Sequence, residues 1–175
     1  MKKKTIPPYY PVLLFLFLVV AGTRKDIISK TTNEIIVYNT PGSSTIGIRT
    51  GKILNLYSDS TLVVPEVKRH CATLGLKIKS TIINNNYRCI IAGDKKILMT
   101  NYLNNKIIRN FDPDYLILTG SSPRVSNDTD LVHFSGCIIV SSEPRTGFHL
   151  RQNSFVPAIE SVYYVRHSGA FVKRI

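Results

Sequence analysis

The sequence predicts a mixed α/β, or α+β, sandwich carried behind one N-terminal membrane helix. Three observations predict it. Most apolar runs are short, β-branched and bounded by Gly, Pro, Asn or Asp, which is how strands are punctuated. Strands in series give way to strand–helix–strand alternation along the chain. The first 25 residues join a lysine cluster to an apolar run.

Taken in order, Lys2, Lys3 and Lys4 precede Ile6, two prolines and the pair Tyr9-Tyr10, and an unbroken apolar run fills residues 12–22. Those 11 residues cover about 16 Å as a helix, against a bilayer core of about 30 Å. Counted from Ile6 the stretch reaches about 25 Å, enough where the bilayer thins. Tyr9 and Tyr10 suit an interfacial belt. Residues 1–25 are therefore read as a membrane anchor or a signal segment, with Val20, Ala21 and Gly22 as the small-residue cleavage site of the second reading. Both readings leave the lysines cytoplasmic and the rest of the chain outside.

Residues 26–175 are read as one domain with a core of its own. Strands are predicted at 34–39, 45–49, 53–57, 77–83, 87–92, 96–100, 115–119, 137–140, 162–165 and 169–172. Thr50-Gly51 and Gly93-Asp94 mark tight turns and hence two hairpins. A helix is predicted at 65–74, with Pro65 at its start and Gly75 at its end. Shorter helices are predicted at 103–108 and 128–134, and a weak one at 148–160.

The chain of 175 residues has a formal charge of +12. Five of its basic residues and none of its acidic ones fall in residues 1–25, leaving 18 basic and 11 acidic residues in the remainder. That excess favours polyanions, either nucleic acid or an anionic lipid surface. Three cysteines, Cys71, Cys89 and Cys137, include no CxxC pair, so no disulfide framework or zinc ribbon is expected. Cys89 and Cys137 lie in apolar strand runs and are expected as buried free thiols.

The expected chemistry is sparse. A hydrolytic metal site needs clustered His and Asp. His70, His133, His149 and His167 are far apart, and no HxH, HxxxH or HxxE pattern occurs. Residues 119–123 follow a good strand but lack the GxSxG elbow. Gly42-Ser43-Ser44 lies between two strands, unlike a phosphate-binding P-loop. Asp112 and Asp114 around Pro113 read as turn chemistry. No cofactor is implied. Aromatic residues next to basic ones (Tyr87-Arg88, Tyr163-Tyr164 with Arg166, Phe171 with Lys173-Arg174) could stack bases, although aromatic residues in strands usually face a core.

The residues carry one resemblance. DYLILTGSSPRVS at 114–126 and YVRHSGAFV at 164–172 resemble the tail of the ComEC family of competence proteins, bacterial inner-membrane channels that admit single-stranded DNA. The resemblance runs through most of residues 12–175. It implies a metallo-β-lactamase-like αββα sandwich behind a membrane helix. The segment 36–49 is similar to the strand pair that carries DVGQGD in metal-binding members, with Asn39 where that pattern has Asp. The segment 87–101 is similar to the hairpin ending in TGD, with Asn101 at the Gly and Tyr102 at the Asp. Thr119-Gly120-Ser121-Ser122 stands where HHGS is expected, and HxHxDH is absent. The resemblance thus implies a degenerate member, non-catalytic and without metal ligands, either a detached piece of a longer protein or a stand-alone relative.

The expected role is a membrane-tethered domain in DNA uptake, at the bacterial inner membrane and outside the cytoplasm. Its expected partners are the membrane, single-stranded DNA and a ComEC-like channel subunit. Arg88, Lys95, Lys96, Arg124, Arg145, Arg151, Arg166, Lys173 and Arg174 are the pool from which DNA contacts would come. The alternatives are a secreted or periplasmic interaction protein, or a phosphodiesterase-type hydrolase with an atypical metal site.

Overall fold

A computed structural model describes residues 9–59, 61–82, 87–120, 124–125, 134, 136–141 and 161–175. In chain order the elements are α1 (Tyr9–Thr31), β1 (Asn33–Tyr38), β2 (Thr45–Thr50), β3 (Ile53–Ser58), α2 (Pro65–Leu74), β4 (Lys77–Ile82), β5 (Tyr87–Ala92) and β6 (Lys95–Thr100). They continue with β7 (Tyr102–Leu103), α3 (Asn105–Phe111), β8 (Tyr115–Leu118), β9 (Arg124–Val125), β10 (Cys137–Val140), β11 (Ser161–Tyr164), α4 (Val165–Ser168) and β12 (Phe171–Arg174).

Two mixed five-stranded sheets dominate. The first has the order β12-β1-β2-β3-β4 and the second β11-β10-β8-β6-β5. In the first, only β3 and β4 run parallel. In the second, β6, β8, β10 and β11 are parallel and β5 returns antiparallel. Strand alternation sorts the side chains into layers. Ile35, Val37, Ile46 and Ile48 of the first sheet meet Ile97, Met99, Tyr115, Ile117 and Ile139 of the second in a shared core. The intervening residues face outward. Ile36, Tyr38, Leu54 and Leu56 pack with Val67 and Cys71 of α2. Leu98, Leu116, Leu118 and Ile138 pack with Ile108 of α3. The order of layers is α2, first sheet, second sheet, α3.

All ten expected strands and the helix at 65–74 are present. Both expected hairpins form, with Gly51 and Gly93 at positive φ. Gly51 is required twice over: its φ is +60, and a Cβ there would lie 2.6 Å from the Lys30 carbonyl oxygen. The helix expected at 103–108 begins later, because Asn104 caps it by accepting from the Lys106 and Ile107 amides. The helices expected at 128–134 and 148–160 fall almost wholly outside the described residues. Cys89 corrects an expectation: it is exposed rather than buried, since it lies on the outward-facing row of the edge strand β5.

The N-terminal helix is longer than the expected segment. The apolar run does form a helix, but α1 continues past residue 25 to Thr31. Its 23 residues reach about 34 Å, yet its last third carries Arg24, Lys25, Asp26 and Lys30. No helix among the described residues is both long and apolar enough to cross a membrane. What extends α1 is tertiary. The buried Arg49 donates through Nη2 to the Ser29 carbonyl (3.3 Å), through Nε to the Gly51 carbonyl (2.8 Å) and through Nη1 to Glu34 (3.0 Å). The Gly51 amide in turn donates to the Thr32 carbonyl. The end of α1 is thereby fastened to the β2–β3 turn, while the large apolar side chains of residues 12–20 are 47–70% exposed.

Candidate nucleic-acid interface and the two ends of the sandwich

The sandwich has two chemically different ends. At one, the carboxyl ends of the parallel strands β6, β8 and β10 meet the loop between β1 and β2. Seven hydroxyl residues are buried there: Thr40, Ser44, Thr45, Ser58, Thr100, Thr119 and Ser141. Ser44 is the hub. Its Oγ shares a hydrogen bond with Ser141 Oγ (2.9 Å) and accepts from the Gly120 amide (3.3 Å), and its own amide donates to Asp59 (3.1 Å). Thr100 Oγ1 accepts from the Tyr102 amide and donates to the Tyr102 carbonyl. A Cβ on Gly120 would lie 3.2 Å from the Asn101 Cβ.

These are the places where the resemblance expects metal ligands. The turn after β8 meets the end of β6 and the loop between β1 and β2 through Thr119, Gly120 and Ser44. The residues there include Asn101, Tyr102, Thr119 and Gly120, with Ser44, Ser141 and the Asp59 carboxylate, while Asn39, in the loop after β1, is exposed. Zinc and similar catalytic metals take His, Cys and carboxylate donors, and hydroxyls and amides do not fit that donor set. Among the described residues no group of three or more His, Cys, Asp or Glu could hold a metal ion. Next to this end, on the outer face, the Tyr38 hydroxyl bonds His70 Nδ1 (2.8 Å). Burial pushes the Tyr38 phenol well above its ordinary range and holds the His70 imidazole below its own, which favours a neutral pair.

The other end is charged. Glu34 bonds both Arg49 and, at 3.4 Å, Arg174. Lys95 bridges Asp114 (3.2 Å) and Asp94 (3.5 Å). Asp114 also accepts from the Lys96 amide (2.9 Å). That amide bond and the Lys95 ammonium hold the Asp114 carboxyl below its usual range, and Asp114 in turn raises the Lys95 ammonium. A cavity of about 530 Å³ opens here between the sheets, at the amino ends of β6, β8 and β10.

The basic residues singled out by sequence do not form one patch. Lys95, Lys96 and Lys173 line the charged cavity. Arg174 lies beside them in sequence but on the opposite face of β12, held by Glu34. Arg88 is at the far edge, its guanidinium 5.2 Å from the centre of the Tyr57 ring. Arg166 is exposed on α4. Arg124 belongs to β9, opposite Tyr102. Arg145 and Arg151 lie outside the described residues. Of the aromatic residues, Tyr163 and Phe171 pack on the core, Tyr164 packs beneath α3, and Tyr87 is exposed. Sequence reasoning missed the hydroxyl cluster, whose members sit in ordinary turn-rich segments, and gave no sign that three of the nine basic residues share a cavity.

Two mixed sheets sharing a core, a helix on each outer face and loops converging at the carboxyl ends of parallel strands define a layered α+β protein. Its family follows from comparison with family models: the ComEC C-terminal domain model matches residues 35–175, and the chain belongs to that family. This places it in the setting of competence, DNA uptake and the membrane. No curated protein and no solved structure gives a match to the chain.

Proposed function

We propose that residues 26–175 form a metallo-β-lactamase-like αββα domain that has lost its metal site, and that the chain serves DNA uptake without catalysis, as a DNA-contact or assembly surface. The meeting of Asn101 and Thr119-Gly120 with Ser44 and Ser141 at a hydroxyl-lined end supports this reading. The scaffold's loops arrive where a metal would be held, and the donors they bring suit hydrogen bonding instead. Buried hydroxyls bonded to one another and to amides favour a rigid, closed end.

The tether in this reading is α1. Its residues 12–20 are apolar on every side, as expected of a helix that packs against lipid, and each such side chain removed from water contributes about 1.5–3 kcal/mol. With the residues before Tyr9 it anchors the chain at the bacterial inner membrane, the lysine cluster cytoplasmic and the sandwich outside. A ComEC-like channel subunit is the partner that a tethered, non-catalytic domain would serve. DNA contact would act through phosphates and carry little sequence preference.

The test is direct. The full chain in detergent, incubated with zinc or manganese and desalted, is expected to retain well under one metal ion per chain, to leave a single-stranded oligonucleotide intact, and to bind that strand with steep salt dependence. A stoichiometric metal with strand cleavage would overturn the reading, and so would the absence of strand binding at low salt for its DNA-contact form.

A further inference from the structure

The charged cavity deserves a specific assignment because strand parity places a lysine where apolar residues belong. In the β1–β12 ladder, Phe171 is opposite Val37 and Lys173 is opposite Ile35. Val37 and Ile35 belong to the core between the sheets, and Phe171 and Ile175 pack against that core. Lys173 therefore sits on the inward row of β12, between two core-packed residues. Lys95 likewise occupies the inward row of β6, two residues before Ile97. Two lysines on facing sheets thus border the gap where the sandwich opens, with Lys96 at its rim and Tyr115 and Cys137 as its floor.

A lysine facing inward at a sheet end has an ordinary explanation: its stem covers apolar surface and its ammonium reaches water. Three features take this case further. The cavity is large, about 530 Å³. Lys95 is held by Asp114 and Asp94, which fixes one ammonium at the wall instead of leaving it to sample solvent. Neither Lys96 nor Lys173 makes a side-chain salt bridge among the described residues; Lys173 is on the inward row, whereas Lys96 is on the outward row of β6 with Leu98 and adds its charge at the rim. Two carboxylates, Asp112 and Asp114, belong to the lining with the three lysines; Asp114 is occupied by the Lys95 ammonium and the Lys96 amide, which lowers its repulsion of an anion.

The position matters as well. Lys173 neighbours Arg174, Arg174 pairs with Glu34, Glu34 pairs with Arg49, and Arg49 holds the Ser29 carbonyl of α1. The cavity is thus at the same end of the sandwich as the attachment of α1, opposite the converged loops.

We propose that this cavity is a phosphate-binding pocket, with Lys173 as the free inward-facing cation, Lys95 as the fixed one and Lys96 adding charge at the rim, and that the phosphate it takes is a backbone phosphodiester of a single-stranded nucleic acid. The choice of strand rests on the function proposed above; the phosphate site does not. An ammonium suits phosphate as a point charge without requiring a bidentate geometry, which fits sequence-independent contact.

The experiment uses the full chain in a zwitterionic detergent and follows amide and lysine side-chain NMR signals during titration with inorganic phosphate and, separately, with a short thymidine oligonucleotide. A pocket variant, K96Q/K173Q, is compared with K77Q/K79Q, which removes the same charge from the edge strand β4. The pocket variant is expected to weaken oligonucleotide binding about tenfold or more and to lower the salt slope by about 1.4, with K77Q/K79Q near wild type. Phosphate is expected to shift signals of residues 95–96, 114–115 and 173 in the wild type and in K77Q/K79Q, and not in K96Q/K173Q. Equal weakening by both variants would overturn the pocket while leaving DNA contact intact. Phosphate binding at the pocket without strand binding would support the site and reject the strand as its source; anionic lipid added to the detergent then tests a headgroup. No phosphate response and no strand binding would overturn both.

Discussion

The two ends of the sandwich are built from opposite materials. The end at the carboxyl termini of β6, β8 and β10 is lined by buried hydroxyls, with Ser44 bonded to Ser141 and to the Asp59 carboxylate. The end at their amino termini is charged, open and joined to α1. In folds with parallel strands, ligands commonly lie beyond the carboxyl ends. Here the described residues of that end form no cluster of His, Cys, Asp and Glu for a metal, while Lys95, Lys96 and Lys173 line a cavity at the other. The comparison teaches that the two ends of one sandwich offer different chemistry, hydroxyls and amides at one and charged side chains at the other.

The largest expected effect tests whether the charged end is also structural. Arg49→Ala should destabilise the protein by about 3–5 kcal/mol, because it leaves Glu34 buried with only a partly exposed partner. It should also release the end of α1. Chemical unfolding followed by circular dichroism measures the first effect, and hydrogen exchange at residues 27–32 measures the second. A loss below about 1 kcal/mol would mean that the clamp seen around Arg49 is not maintained.

A smaller effect is expected at the hydroxyl end. Ser44→Ala removes a partner of the buried Ser141 hydroxyl and one acceptor of the Gly120 amide, at about 1–3 kcal/mol. Combining it with Ser141→Ala should cost less than the sum of the two single changes, since the second removes a group the first had already orphaned. Simple additivity in unfolding experiments would show that the cluster does not act as a unit.

The smallest effects are in pH, and they fall in separate windows for the two ends. The folded-state pKa of His70 is depressed, so the fold favours the neutral ring. Its contribution is full above the unfolded value of about 6.5 and is lost as pH falls from there through the folded value. His70→Asn should flatten that part of the stability profile. The folded-state pKa of Asp114 is also depressed. Its contribution is present above the ordinary carboxylate value and is lost as pH falls through the lower folded value, so Asp114→Asn should flatten the profile only in acid. A single common window for both variants would contradict the assignment of these groups to different ends.

Much of the fold was legible in the sequence because it is local. β-Branched runs bounded by Gly, Asn and Asp specify the strands, and the Thr50-Gly51 and Gly93-Asp94 turns specify two hairpins. The pair β7–β9 was not legible, since two residues per strand carry no periodicity. The extension of α1 to Thr31 was hidden because Arg49, distant in sequence, holds the helix end. Cys89 was misread because an apolar run does not reveal which row of an edge strand faces solvent. That Asn39, Asn101 and Tyr102 are not carboxylates could be read from their identities, whereas the meeting of Ser44, Gly120 and Ser141 is a product of sheet order. The alternation Phe171, Lys173, Ile175 was visible, yet its meaning depends on the register with Ile35 and Val37.

The most direct test of the contrast is photocrosslinking of the full chain to a single-stranded oligonucleotide with photoreactive bases, the attached peptides being mapped by mass spectrometry. Crosslinks concentrated in residues 94–96, 112–115 and 171–175 are predicted. Crosslinks concentrated in residues 39–44, 100–102 and 119–120 would contradict the account, because they would return the ligand to the end where the metal donors are missing.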